Sequence, residues 1–380
     1  MTAISQAAIK RVVTDIPDAL RPSWLKETWS GEHGTGGLRA QVNSASSSLE
    51  LTPTGMSGRS AASGSVLLDD SGFGRFNRDQ TLHASGRLEV HHSLMTIDSS
   101  KQGTGYARSF NDRAFARYAE AGVDDVTIDA ALSMGGYAWA RQGFELVGNG
   151  ADEVARATNR AEKLTRLVDR SRSKIDDAAY AELEPRLYRG GELRPDTLTS
   201  VQELAAMPVG RSVLVGNSWS GIRPIERANT WWAGRTPGGV DDIQRGVSHL
   251  LKPADTSAAV GAASRRIASN LPPALDPTTL GRAFERTLRN VGGGASLDGE
   301  RGARTLLRLD SSDGVSDLGG RAALKTMDGQ TIVLETKLGA DGVLRGTEKL
   351  PSELDGVGTR RALNAAWREL GVTDVERSAR

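Results

Sequence analysis

The sequence predicts an α+β fold in two parts joined by a helical connector, and three observations lead there. Residues 38–146 read as strand, hairpin, strand, helix, strand, helix. Residues 151–183 then carry Val154, Ala157, Ala161, Leu164, Leu167 and Val168 at three- and four-residue spacing, an amphipathic helical pattern that Pro185 closes. Residues 186–380 return to helices followed by short strands, so the class is the same again. The expected divisions are 1–150, 151–185 and 186–380.

Each element has a local reason. Residues 3–14 place Ile4, Ala7, Ala8 and Val12 at helical spacing, and Pro17 and Pro22 then break the chain. Residues 38–51 alternate weakly, as in a strand exposed on one face; 55–64 read as a loop and 65–68 as a short strand. Residues 88–97 form a long strand. The glycine-spaced turn Gln102-Gly103-Thr104-Gly105 follows, and the helix it opens closes at Gly122. A short strand at Val126-Thr127-Ile128-Asp129 and a small-residue helix ending in Gly143-Phe144 complete this part. Beyond it come a helix at 200–206, an extended segment through Ser218-Trp219-Ser220, and a helix at 281–290. A glycine loop at 292–302, strands at 305–309 and 331–338 and a closing helix at 360–370 follow. No internal repeat is legible.

Composition excludes several function classes. The 380 residues carry a net charge of +1, which offers no electrostatic case for nucleic acid or an anionic membrane. Zero cysteines exclude disulfides and thiolate metal sites, and the five histidines lack an H-x-x-x-H spacing, so no metal site is expected. No apolar run approaches the roughly 20 residues needed to cross a bilayer. The first 20 residues lack the apolar core of a secretory signal. A cytoplasmic location, or carriage in a phage particle, is the expectation.

The chemistry concentrates between 88 and 146. A strand, a glycine turn and a helix N-terminus together make an anion site. Unpaired N–H groups and the positive end of the helix dipole point at one place, and Gly103 and Gly105 let a phosphate approach the backbone. Arg108, one turn into the helix, would add a cation. On the strand before it, Glu89 and His91 share one face and His92 takes the other, which makes these three the candidates for a general base.

The run Gln102-Gly103-Thr104-Gly105-Tyr106-Ala107 resembles the acyl-CoA pyrophosphate signature of the GNAT acetyltransferase superfamily, and the strand before it and the Gly143-Phe144 exit resemble that family's frame. The resemblance covers roughly residues 36–148. It implies acetyl-CoA held at Gln102, Gly103, Thr104, Gly105, Tyr106, Ala107 and Arg108, and acyl transfer to an amine on a protein or small molecule. The family's usual tyrosine acid is replaced by Trp139, and its asparagine by Leu132. Tyr137 is the remaining phenol in that helix, about 200° round from Trp139. Tyr188-Arg189-Gly190 and Ser218-Trp219-Ser220 resemble two of three motifs of the ADP-ribosyltransferases, which implies NAD held by Arg189, Ser218 and Ser220. The third, a paired glutamate motif, is missing, and Glu335 and Glu348 stand nearest to it. Trp231 and Trp232 are a further candidate contact. The departures from both patterns favour an alternative, a phage virion or head-associated structural protein within a large assembly, and the Arg189 and Ser218-Trp219-Ser220 matches leave a further one, a mono-ADP-ribosyltransferase effector.

Overall fold

The computed structural model describes residues 6–33, 38–68, 71–131, 134–189, 192–193, 200–225, 253–290, 295–299, 302–352 and 356–379. Trp231, Trp232, Leu132 and residues 292–294, 300 and 301 of the expected 292–302 loop lie outside them; within that loop Ser296–Leu297 form a short strand against Leu324 and Lys325. Helices α1 (Gln6–Thr14) and α2 (Pro22–Trp29) precede strands β1 (Leu38–Thr52), β2 (Gly55–Leu68), β3 (Ser71–Leu82) and β4 (Leu88–Ile97). Next come α3 (Tyr106–Glu120), β5 (Asp125–Ala130), α4 (Gly135–Ala140), β6 (Glu145–Leu146), α5 (Glu153–Arg170) and α6 (Asp177–Leu187). The two-residue strands β7 (Tyr188–Arg189) and β8 (Glu192–Leu193) lead to α7 (Val201–Ala206), α8 (Gly210–Leu214) and β9 (Trp219–Pro224). The last stretch is α9 (Pro253–Asn270), α10 (Pro277–Asn290), β10 (Ala303–Leu309), β11 (Val315–Lys325), β12 (Thr331–Leu338), β13 (Leu344–Leu350), α11 (Val357–Glu369) and β14 (Asp374–Ala379).

These elements form two compact units, a terminal one of Met1–Arg75, Asp79–Leu88 and Thr230–Arg380 and a central one of Phe76–Arg78 and Glu89–Asn229. In the terminal unit the strand order is β14-β13-β12-β11-β10-β1-β2-β3. Its pairs from β13 through to β2 are antiparallel, while β14 runs parallel to β13. Phe284 and Trp367 meet edge to face at 4.6 Å between α10 and α11, over Leu280, Leu334 and Leu363. In the central unit the order is β4-β5-β9-β6, with β4 and β5 parallel and β9 antiparallel to both of its neighbours. Its core is aromatic: Phe110, Phe115, Tyr118 and Phe144 are all buried.

A repeat invisible in the sequence is plain in the fold. The series α1, α2, β1, β2, β3, β4, α3, β5 recurs as α9, α10, β10, β11, β12, β13, α11, β14. In each copy the last strand pairs parallel with the fourth, and a glycine, Gly105 or Gly356, caps the helix between them. The two series share element order without a repeat legible in residue identity.

Three local expectations are corrected. Residues 55–64 are strand, because β1 supplies backbone partners from Leu38↔Leu68 to Thr52↔Gly55; serine, glycine and alanine, weak strand formers, disguised a strand that largely alternates between buried and half-buried positions. Pro22 starts a helix, since the first helical position needs no N–H. Pro185 lies inside the last turn of α6, which ends at Leu187. The division expected at residue 150 falls within the central unit, because β9 pairs with both β5 and β6.

Candidate functional site

β4 and β5 form a fork. They pair from Glu89↔Asp125 to His92↔Ile128, and the register stops there although β4 continues to Ile97. Beyond it, Asp129 and Ala130 pair with Ser220 and Trp219 of β9. The burial alternation of β4 also slips at this point: Leu88, Val90 and His92 are buried, whereas Leu94 and Met95 are both half-buried. The slip in alternation and the end of the β5 register thus fall at the same place in β4.

Past Ile97 the chain makes the glycine turn. Asp98 accepts from Ser100 N at 2.9 Å, and Gln102 Nε2 donates to Ile97 O at 3.1 Å, so the glutamine side chain fastens the turn to the strand end. Gly103 and Gly105 sit at φ +81° and +83°, and a Cβ on either would meet nothing within 4 Å. Gly105 is the N-cap of α3 and no side chain caps that helix, whereas Asp152, Asp176 and Ser200 cap α5, α6 and α7. The first-turn N–H groups of a fifteen-residue helix are therefore left without a side-chain cap beside an exposed turn. Gln102, Gly103, Thr104 and Gly105 are exposed, and Tyr106 and Ala107 half-buried. Arg108 points away along the helix, 3.7 Å from Asp112 in a surface ion pair.

At the root of the fork a polar row crosses β4, β5 and β9. Thr127 Oγ1 donates to Glu89 Oε1 at 3.0 Å and lies 3.1 Å from His91 Nδ1. The threonine hydroxyl has one proton, and the carboxylate only accepts. The network therefore assigns the proton to His91 Nδ1 and leaves Nε2 as the basic nitrogen. Nε2 stands 3.7 Å from Asp129 Oδ2, and Ser220 Oγ donates to Asp129 Oδ1 at 2.8 Å. Asp129 is placed to stabilise an imidazolium.

His92 belongs to the opposite face. It is 3% exposed, with Nε2 3.0 Å from Tyr118 Oη and its ring stacked on Phe115 at 6.0 Å. Burial, with the nearby Arg78 charge, holds its pKa well below the ordinary value, so it is a neutral core residue away from the polar row. Trp139 packs edge-on against Phe144 at 5.2 Å and against His92 at 5.7 Å. Tyr137 is half-buried on α4. Arg78, a fully buried guanidinium on β3, drew no attention in the sequence, where one arginine in an exposed-looking Phe-Asn-Arg-Asp run gives no signal.

The NAD residues stand on different elements. Arg189 lies in the β7–β8 ribbon, a sheet of its own, whereas Ser220 is on β9 and joins the His91 row; Ser218 is exposed just before that strand. Glu335, on β12, pairs with Arg321 and Lys349 at 3.6 and 3.5 Å. Glu348 is buried on β13 beneath Trp367. Among the described residues no cluster of three His, Asp or Glu stands ready for a metal ion, and no helix is long and apolar enough to cross a membrane.

No protein-family model matches the chain, and no curated protein matches it. Among solved structures it is similar to a tandem GNAT protein from the clavulanic acid biosynthesis pathway, without AcCoA. The two share 10% identity over 99% of this chain and 87% of that one, with a TM-score of 0.19.

Proposed function

We propose that the central unit transfers an acyl group from an acyl-CoA, acetyl-CoA in the simplest case, to an amine on a protein or small molecule. The observation that carries this reading is the fork between β4 and β5 opening toward an uncapped, glycine-built helix start. The residues present fit such a donor: the N–H groups around Gly103, Gly105, Tyr106 and Ala107 would hold its diphosphate, and half-buried Leu94, Met95 and Ile97 would line its pantetheine arm. Bound acetyl-CoA supplies an activated acyl group as a thioester.

The chain's own residues do the rest. His91 Nε2 accepts the proton of the incoming ammonium, Thr127 and Glu89 keep the imidazole in the required tautomer, and Asp129 stabilises its charged form. Main-chain N–H groups of the diverging part of β4 polarise the acyl oxygen. Tyr137 is the group proposed to protonate the departing thiolate. Calorimetry of the whole chain with coenzyme A tests the donor site: a dissociation constant in the micromolar range supports it, and no heat at millimolar ligand refutes it.

A further inference from the structure

We propose that Arg78 is the positioning residue that holds the fork open and ties it to the glycine turn; this deepens the acyltransferase reading and rests on it. Arg78 is 0% exposed, and burial pulls its pKa down to about 10. A buried guanidinium is expensive unless it is hydrogen-bonded; Tyr118 is one partner here, and further acceptors fall on both components of the site. Nη1 donates to Leu94 O at 2.8 Å, on the stretch of β4 where the β5 register has ended, and also to Asn77 O at 2.9 Å. Nη2 faces Met95 Sδ at 3.7 Å and donates to Asn111 Oδ1 on α3 at 3.4 Å.

The chain of contacts then continues. Asn111 Nδ2 donates to Gln142 Oε1 at 2.9 Å, and Arg223 Nη1, on β9, donates to Gln142 O at 2.6 Å. Leu94 and Met95 are the residues at which the alternation of β4 slips, so Arg78 takes up a carbonyl at that irregularity. With a charged partner in the core, this carbonyl has no need of β5. Through Asn111 the same guanidinium fixes α3, whose first turn is the anion seat, relative to the diverging strand. One side chain thereby sets the spacing between the two places where the donor is gripped.

The test is Arg78→Met, which keeps the length and removes the donors, beside Arg78→Lys, which keeps the charge and one donor group. Hydrogen exchange of the ligand-free chain reads the fork directly: amides 93–97 exchange faster in wild type than in Arg78→Met, where β4 zips toward β5. Coenzyme A titration and, where activity is found, kcat/KM read the consequence, with a loss of about 100-fold for Arg78→Met and partial recovery in Arg78→Lys. Exchange at 93–97 unchanged by Arg78→Met, together with wild-type coenzyme A affinity, overturns the proposal. A wild-type chain that ignores coenzyme A, yet shows the Arg78-dependent exchange, sinks the acyltransferase reading and leaves the positioning role standing. Should Arg78→Met not fold, Arg78→Lys and Asn111→Ala carry the same comparison. Unaltered exchange and binding in both would refute the role.

Discussion

His91 Nδ1 lies 3.1 Å from Thr127 Oγ1, its register partner across the parallel pair, and this contact decides which imidazole nitrogen is left free to accept a proton in the proposed reaction. Replacing Thr127 by Val removes the hydroxyl that sets the tautomer while keeping the β-branched shape a strand prefers. His91→Ala is expected to lower kcat by about 100- to 1,000-fold with the KM for the acyl donor unchanged, the range for losing a general base. Thr127→Val is expected to give a smaller loss in the same parameter. Steady-state kinetics on both variants check this; an unchanged kcat in His91→Ala would move the base elsewhere.

Gly105→Ala probes the turn. At φ +83° an alanine pays a left-handed penalty of roughly 1–2 kcal/mol, although its Cβ meets no atom of the protein. The melt should therefore drop slightly while the fold survives. The methyl group would stand where the diphosphate is proposed to sit, so coenzyme A affinity should fall by at least about tenfold, 1.4 kcal/mol. A lower melting temperature with full affinity would show that the turn is only a turn.

Much of this site could be read from residue order, because its signals are local. The 88–97 strand, the Gln102–Gly105 turn and the helix after it depend on neighbours in sequence, and glycines at φ +81° and +83° announce themselves. The pairing of His91 with Thr127 and Asp129 is legible only once β4 and β5 are known to be parallel and in register. Arg78 was hidden for the same reason: its partners lie 16 and 33 residues away on other elements. The hydrogen bond of Ser220 to Asp129 is equally illegible in residue order, since the two lie 91 residues apart. The second series of elements is illegible in residue order because periodicity reports one strand at a time and says nothing of which strands pair.

The two copies differ where it matters for ligand. In the second, β13 pairs with β14 from Arg345↔Asp374 to Leu350↔Ala379, so the pair stays closed to the end of β13. Beneath it Glu348, 1% exposed, accepts from Trp367 Nε1 at 2.5 Å and faces Arg377 Nε at 3.4 Å. A closed pair leaves no room for a pantetheine arm. Titration of the whole chain should accordingly saturate at one coenzyme A per chain, and Glu348→Gln should leave that affinity unchanged. A stoichiometry of two would refute the assignment of the site to the central unit alone.

Stability should depend on pH through Glu145. Its carboxylate, on β6, accepts from Ser200 Oγ at 2.5 Å and from Val201 N at 3.2 Å, at the start of α7. Burial outweighs these bonds and pushes the group from an ordinary 4.5 up to about 7. Because the folded state holds this proton more tightly than the unfolded one, stability is greatest below the unfolded value. It then falls as pH rises toward 7 and levels off above that. At 1.36 kcal/mol per unit the loss approaches roughly 3 kcal/mol. Urea midpoints should therefore decline between pH 5 and pH 8 in wild type, and Glu145→Gln, which keeps an acceptor for Ser200 without a titrating proton, should flatten that decline. An equally steep decline in Glu145→Gln would trace the pH dependence to another group.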